Sequence, residues 1–188
     1  MYDAQDIEAL LREHPRFHRG AIAKGPSLTF REATEADATF ILSLRLDPDK
    51  NRHLSPVADD VAAQKAFIRN DPGLYYIIEA GVPCGTARLY NQRGTSFEWG
   101  SWIMRDHPKG SAIEAMCMVY EIGLDFGFRA SHFSVRKENR GVWKMHERFG
   151  AKRTGETDAD YLYSIDKGAI LAALKRHAIP VTIAWPAP

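Results

Sequence analysis

The fold is decided by residues 102–112, which read Trp102-Ile103-Met104-Arg105-Asp106-His107-Pro108-Lys109-Gly110-Ser111-Ala112. The stretch begins as an aromatic strand and becomes a short loop with one glycine and small residues. From Ala112 onward, apolar residues recur at helical spacing, so the loop leads into the N-terminus of a helix. The first amides of a helix lack partners within it and favour an anion such as a phosphate. An ordinary capped turn has the same composition, so both interpretations stay open.

The segments around this loop alternate between strand and helix patterns. Three short strands with turn residues between them precede the loop, which is typical of an antiparallel meander. A long amphipathic helix follows, and Gly127 marks its end. The predicted strands are 28–33, 74–79, 84–90, 96–104, 133–135 and at least one within 152–165, and the predicted helices are 34–47, 60–70, 112–126, 140–149 and 168–177. This order predicts an α+β fold with one central sheet.

The chain divides into an arm and a main domain. Residues 6–14 have apolar side chains at helical spacing, and residues 16–26 have glycines, a proline and no sustained period. We therefore predict an N-terminal helical arm and linker over residues 1–26 and a single domain over residues 27–188. The final residues, 184–188, are too short and proline-rich to assign.

Composition excludes several classes of protein. The 188 residues carry 25 Lys and Arg against 24 Asp and Glu, so the net charge is +1. That balance argues against a dedicated nucleic-acid binder or a polybasic membrane binder. The chain has no long apolar run, no signal-peptide pattern at its start and two cysteines, Cys84 and Cys117. We expect a reduced, cytoplasmic protein in which both cysteines are buried apolar residues rather than nucleophiles.

Two motifs resemble those of the GNAT superfamily of N-acetyltransferases. The family's pyrophosphate loop has Gln or Arg, two residues, Gly, one residue, and Gly or Ala, and the pattern falls here on His107, Gly110 and Ala112. His107 departs from the family's first residue. The second motif, residues 139–151, is similar to the family's segment of an asparagine, a short helix and Gly-Phe, with Asn139 at the asparagine. The resemblance implies a V-shaped splay between the fourth and fifth strands of the domain and an acetyl-CoA cosubstrate.

The resemblance also suggests a branch and an acceptor. Residues 98–102, Glu-Trp-Gly-Ser-Trp, are similar to the Glu-x-Gly-x-Trp strand of ribosomal-protein N-terminal acetyltransferases. The segments 51–56 and 142–150 resemble members that act on amino sugars, including nucleotide-linked ones. A primary amine on such a sugar is the first choice of acceptor, and a protein N-terminus is the alternative. A non-catalytic acyl-CoA-binding domain and a purely structural partner domain are the alternatives outside catalysis.

Carried over residue by residue, the resemblance assigns a cofactor site. The pantetheine arm would lie against the fourth strand, where the Ile103 amide is the candidate to polarise the thioester carbonyl, and the pyrophosphate would lie at the loop. The expected cofactor-binding residues are Trp102, Ile103, Met104, His107, Lys109, Gly110, Ser111, Ala112 and Asn139. Asn139 has a second interpretation as a helix cap.

Two residues are candidates for proton transfer. Glu98, a carboxylate on an aromatic strand, is the candidate base that takes the proton of the attacking amine. The alternative makes it a solvent-facing residue paired with Arg88. His146 stands where many family members have a tyrosine, and it is the candidate acid for the departing thiolate. The alternative makes it a core histidine, because it shares a helix face with apolar residues.

The acceptor site has weaker signals. Arg52 and His53 lie in the loop after the domain's first helix, where they would meet a phosphate or sugar hydroxyls, and the alternative is a solvated loop. Trp99 either lines the acceptor pocket or packs in the core.

His14 and His18 have metal-compatible spacing but lie across Pro15 with no third ligand, so no metal is predicted. The N-terminal arm either covers the acceptor site or mediates a homodimer.

Overall fold

A computed structural model describes residues 15–185. Within these residues nine strands form one sheet in the order β7-β8-β6-β5-β4-β3-β2-β1-β9. The strands are β1 (Ile22–Lys24), β2 (Thr29–Glu32), β3 (Leu74–Glu79), β4 (Pro83–Arg93), β5 (Ser96–Met104), β6 (Ala130–Arg136), β7 (Lys152–Glu156), β8 (Asp160–Asp166) and β9 (Thr182–Ala184). All neighbours pair antiparallel except β5 and β6, which are parallel.

Helices cover both faces of the sheet. They are α1 (Ala38–Arg45), α2 (Val61–Asn70), α3 (Ser111–Asp125), α4 (Arg140–Phe149) and α5 (Lys167–His177), with short 3-10 turns at Glu35–Asp37 and Asn51–His53. Strand β3 is buried on both faces, because Tyr76 packs into a core with α3, α4 and α5 whereas Tyr75 packs with α1 and α2. The predicted α+β fold with one central sheet is confirmed.

On one face of the sheet, side-chain caps stabilise the first turns of the helices. The Asp37 carboxylate accepts a hydrogen bond from the Thr34 amide at 2.8 Å, as part of a capping box before α1. Asp60 accepts from the amides of Ala62 and Ala63 and starts α2. On the other face, buried Glu114 of α3 accepts from the Ser27 and Leu28 amides at 2.8 Å each. This contact ties the first turn of α3 to the start of β2.

The structure differs from the sequence predictions at both ends of the described chain. Strand β1 lies inside the predicted linker, where Ala21 and Ala23 are buried in the core. Strand β9, which precedes the unassigned tail and includes its first residue, Ala184, was not predicted, whereas the two strands β7 and β8 agree with the prediction of at least one strand within residues 152–165. The predicted helix at residues 6–14, with His14, falls outside the described residues. The domain boundary at residue 27 stays a prediction.

Strands β5 and β6 separate along their length. They pair only at Ser96 with Ala130 and at Phe97 with Ser131, and beyond these two positions no ladder joins them. We call the paired part the closed end and the remainder the open end. Counted from the strand at Thr29, these are the domain's fourth and fifth strands, so the predicted splay is present.

Candidate active site

A cavity of about 320 Å³ occupies the open end. Strand β5 contributes residues from Glu98 to Trp102, β6 contributes residues from Phe133 to Arg136, and α4 contributes Val142 and His146. The cavity therefore brings together the two predicted proton-transfer residues, Glu98 and His146. Its size falls in the range of small-molecule sites.

A bulge in β5 shapes the wall of this cavity. Thr86 of β4 pairs with Ile103 and Arg88 pairs with Gly100, so Ser101 and Trp102 together face one residue of β4. Ser101 has φ of +48°, in the left-handed region that non-glycine residues rarely adopt, and its carbonyl accepts from the Thr86 hydroxyl at 2.8 Å. Bulges of this kind redirect side chains near active sites. The sequence gives no signal for this bulge, because Ser101 is not a glycine.

Glu98 is held by two side chains of the neighbouring strand. Its Oε1 accepts from the Tyr90 hydroxyl at 3.0 Å, and its Oε2 accepts from Asn91 Nδ2 at 2.6 Å. Burial, with the carboxylate beside it, raises the pKa of Tyr90, so the tyrosine stays a proton donor. The alternative pairing of Glu98 with Arg88 is wrong, since Arg88 instead binds both oxygens of Asp71 at 2.5 Å.

His146 is buried among aromatic rings. Its side chain is 4% exposed, and its ring lies 4.2 Å from Phe133 and 5.3 Å from Trp99, centre to centre. Burial lowers the pKa of His146 to about 4, because the imidazolium loses hydration in this environment. The imidazole is therefore neutral at pH 7. Its Nδ1 has no hydrogen-bond partner among residues 15–185, and the ring lines the cavity.

The loop before α3 presents a glycine and a free amide. Gly110 has φ of +92°, and a side chain added there would meet nothing within 4 Å. Ser111, Ile113 and Glu114 direct their amides to carbonyls of the loop, whereas the Ala112 amide has no backbone acceptor in the described chain. The buried Ser111 hydroxyl also lacks a partner there. With exposed Lys109 beside them, these groups fit a pyrophosphate, as the resemblance implies.

The backbone amides of β5 point alternately towards β4 and towards the splay. The Arg105 amide donates to the Cys84 carbonyl at 2.8 Å. Hydrogen-bonded pairs alternate in an antiparallel ladder, so Ile103 also faces β4, through its pair with Thr86. The Ile103 amide therefore points away from the splay and does not suit the predicted role. The adjacent amide on the open edge belongs to Met104.

The remaining predicted cofactor residues divide into those at the cavity and those in the exposed loop. Asn139 occupies the N-cap position of α4, but its side chain makes no capping hydrogen bond and lines the cavity. The side chain of Asn139 therefore does not cap α4. The indole nitrogen of Trp102 is buried without a partner among the described residues, and this ring also lines the cavity. His107 is exposed, and its ring nitrogen lies 3.1 Å from the Pro108 carbonyl.

The predicted acceptor residues separate in the structure. His53 and Trp99 line the cavity, although Trp99 is 4% exposed and its indole also donates to the Tyr120 hydroxyl at 3.3 Å. Arg52 is exposed and is not among the lining residues, so its role stays a prediction. A further lining residue, Arg45, was not predicted from the sequence and comes from the last turn of α1. Its signal in the sequence was only a basic residue near a helix end.

The comparisons with known proteins agree with this geometry. Residues 27–152 match the family described as the acetyltransferase (GNAT) domain. The chain belongs to the GNAT family. It is an acetyl-CoA-type N-acetyltransferase, and both motifs of the resemblance fall at the open end or in the loop that leads away from it.

Solved structures give the same fold. FdhC, described as a nucleotide-linked sugar GNAT, is 32% identical, with a TM-score of 0.75 over 87% of this chain and 97% of that chain. A GCN5-related N-acetyltransferase from Brucella melitensis is 16% identical, with a TM-score of 0.69 over 88% and 87%. Spermidine N-acetyltransferase from Vibrio cholerae, solved with CoA and spermine, is 16% identical, with a TM-score of 0.66 over 77% and 98%. No curated protein matches the chain significantly.

Other classes of site are not found in the described part of this GNAT chain. Residues 15–185 hold no group of three or more side chains suited to a metal ion. No helix in the same range has the length and apolar character needed to cross a bilayer. Cys84 and Cys117 are buried, as predicted, and burial raises the pKa of both thiols.

Proposed function

We propose that this acetyltransferase acts on the primary amine of an amino sugar carried by a nucleotide. The observation that carries the proposal is the cavity at the open end, where a hydrogen-bonded carboxylate, Glu98, faces the same space as the arginine Arg45. Such a cavity suits an acceptor that has both an amine and an anionic group. The 32% identity to a nucleotide-linked sugar GNAT supports this acceptor.

In this proposal the loop before α3 holds the cosubstrate. Acetyl-CoA supplies an acetyl group activated as a thioester. The Ala112 amide and the Ser111 hydroxyl would donate hydrogen bonds to its pyrophosphate, and Lys109 would add positive charge. The open edge of β5 at Met104 and the side chain of Asn139 would bind and orient the arm. Positioning two substrates in one complex supplies a large part of such a rate enhancement.

Glu98 then acts as the base. The amine nitrogen bonds to the thioester carbonyl carbon while the carbon–sulfur bond breaks, and the carboxylate accepts the proton that the amine loses. Tyr90 and Asn91 hold both carboxylate oxygens, which sets the direction from which that proton arrives. His146 is neutral at pH 7, so it serves the departing sulfur as a hydrogen-bond partner rather than as an imidazolium acid.

Calorimetric titration with acetyl-CoA tests the cosubstrate site. A Gly110→Glu variant places a carboxylate where the pyrophosphate would bind, and we expect its Kd to rise about 100-fold. Gly94→Glu is the matched control, since Gly94 also has positive φ (+55°) and open space but lies in the β4–β5 turn. Equal losses in the two variants would contradict the assignment of the loop.

An acceptor panel tests the second substrate. Nucleotide-linked amino sugars, free amino sugars and peptides with free N-termini are assayed for acetyl transfer, with Glu98→Gln as the base-free variant. We expect nucleotide-linked sugars to have the highest kcat/KM and Glu98→Gln to lower kcat about 100-fold. Preference for peptides would overturn the sugar proposal and favour the predicted ribosomal-protein branch.

A further inference from the structure

A second cavity, of about 460 Å³, adjoins the first. It lies under α2 and is lined by residues of α2, β3, β4 and the loop before α2. Four residues line both cavities: Arg45, Ser55, Tyr90 and Ser101. One continuous ligand that passes these residues would reach from the second cavity to Glu98.

Polar atoms without partners lie along this second cavity. Gln64 is 7% exposed and Tyr75 is 3% exposed, and both side chains line it. Neither Gln64 Nε2 nor the Tyr75 hydroxyl has a hydrogen-bond partner among residues 15–185. Buried polar groups are nearly always hydrogen-bonded, to protein or to water, so these two groups are available to a ligand that enters the cavity. Both can donate, and they therefore suit carbonyl oxygens.

The positive charges of the second cavity are not equivalent. Arg88 is neutralised by Asp71 and stacks over the rings of Tyr90 and Phe67, at 4.3 Å and 5.0 Å. Arg45 donates only to neutral oxygens, to the Ser101 hydroxyl at 3.3 Å and the Ser55 carbonyl at 2.9 Å. No carboxylate of residues 15–185 lies within 4.0 Å of it. The charge left for an anion is thus at the junction of the cavities.

The Nε atom of Arg45 is a further donor at the junction of the two cavities. It is buried and has no hydrogen-bond partner among residues 15–185, and the Tyr75 hydroxyl lies beside the Arg45 guanidinium and the Thr86 hydroxyl. The rim of the cavity is apolar, with Phe67 44% exposed and Val57 and Ala58 beside the opening. A flat ring would pack against this apolar rim while its carbonyl groups accept from the polar floor.

We propose that the second cavity binds the pyrimidine-dione base of a nucleotide-linked acceptor, that Arg45 binds its phosphate at the junction, and that the sugar amine reaches Glu98 in the first cavity. A pyrimidine-dione has two carbonyl acceptors, whereas cytosine replaces one of them with an amino donor. With both Gln64 Nε2 and Tyr75 Oη donating, uracil or thymine meets them with two carbonyl oxygens, whereas cytosine would require Tyr75 Oη to accept from its amino group instead. This inference rests on the proposed function and specifies its substrate class.

Binding of UDP, CDP and inorganic pyrophosphate to the full chain tests the inference directly. We expect UDP to bind at least about tenfold more tightly than CDP. Tyr75→Phe and Gln64→Leu should each weaken UDP about tenfold and leave pyrophosphate unchanged. Arg45→Gln should weaken both UDP and pyrophosphate. Equal affinities for UDP and CDP, or UDP binding that is unchanged in Tyr75→Phe and Gln64→Leu, would overturn the proposal.

Two controls keep the result interpretable. Tyr76→Phe is matched to Tyr75→Phe, because Tyr76 is the next residue of β3 and packs into the core on the opposite face of the sheet. It should leave UDP affinity unchanged. Thermal unfolding of Tyr75→Phe and Gln64→Leu should match the wild type, since each change removes a group that has no partner.

Failure of this inference is distinguishable from failure of the proposed function. If amino sugars are acetylated while UDP binding does not depend on Tyr75 or Gln64, the base site is wrong and acetyl transfer to sugars stands. If UDP binds as expected but no nucleotide-linked amino sugar is acetylated, the nucleotide site stands and the proposed acceptor is wrong.

Discussion

The two ends of the β5–β6 pair have opposite characters. At the closed end the strands are hydrogen-bonded, and Phe97 packs at 5.1 Å from Phe128, beneath α3. At the open end the same strands separate and line a cavity with polar atoms of Trp102 and His146 that have no partners in the described chain. A short stretch of strand therefore changes from holding the fold together to presenting groups to a ligand. Substitutions at the closed end should change stability, and those at the open end should change binding or turnover.

The largest effect is expected at the closed end. Alanine at Gly123 of α3 would place its Cβ 2.4 Å from the buried ring of Phe97. We expect Gly123→Ala to lower the free energy of unfolding by about 2–3 kcal/mol, since the packed core has no room for the methyl group. Urea unfolding measures this change.

Gly141→Ala on α4 is the matched control, because a Cβ there meets nothing within 4 Å. It should be neutral or stabilising by up to about 1 kcal/mol, through helix propensity. Equal stability of Gly123→Ala and Gly141→Ala would contradict the proposed difference between the closed end and the open end.

The next effect is a pH dependence that originates at the open end. The pKa of His146 falls from 6.5 to about 4 on folding. Between these values the unfolded chain binds a proton that the folded protein does not. His146 therefore does not reduce the free energy of unfolding above pH 6.5, and it reduces that free energy progressively as the pH falls towards 4. At pH 5 this group should cost about 2 kcal/mol relative to neutral pH.

His146→Phe tests that pH dependence. Unfolding free energies of the variant and wild type are measured at pH 7.5 and pH 5, and the variant should lose about 2 kcal/mol less on acidification. The other histidines are retained in both proteins, so their contributions cancel. An identical pH dependence would place His146 in a hydrated environment.

A smaller effect is expected where the bulge meets the base. Alanine at Gly100 would place its Cβ 3.0 Å from the Tyr90 hydroxyl, which donates to Glu98. We expect kcat to fall about tenfold, or about 1.4 kcal/mol, with an unchanged Tm. Gly155→Ala is the control, since its nearest neighbour would be Leu162 at 3.6 Å. A lowered Tm with normal kcat in Gly100→Ala would assign Gly100 to packing alone.

The smallest effect distinguishes two neighbouring tryptophans. The Trp102 indole has no partner among the described residues, so Trp102→Phe should raise a substrate KM a few-fold and change stability by less than about 1 kcal/mol. Trp99 donates to the Tyr120 hydroxyl at 3.3 Å, so Trp99→Phe should lower stability. Steady-state kinetics and thermal unfolding of both variants measure the contrast, and the reverse pattern would contradict it.

The long elements could be predicted from sequence, and the short strands could not. The meander and α3 have enough residues to show their periods. Strands β1 and β9 have three residues each, and they form by pairing with each other and, for β1, with β2. No local pattern contains that information.

In the site, residues of contiguous motifs could be predicted from the sequence, and residues that only tertiary packing brings together could not. Glu98 and the loop at Gly110 belong to contiguous motifs and could be identified from the sequence. Arg45, Gln64 and Tyr75 lie far apart in the chain on ordinary helices and a strand, and only tertiary packing brings them to one cavity. The pairing of Arg88 could not be predicted either, because Asp71 reaches it from a loop.

The pairing of β1 with β9 joins Ile22 to Ala184, so one edge of the sheet is built from residues near the two ends of the described chain. Contacts of such long sequence separation incur the greatest loop-closure entropy, and they form late during folding. We expect this ladder to be the last part of the sheet to form and the first to open. Hydrogen exchange at the amide of Ala184, which pairs with Ile22, compared with that of Ile77 in central β3, would report this order as a difference in protection.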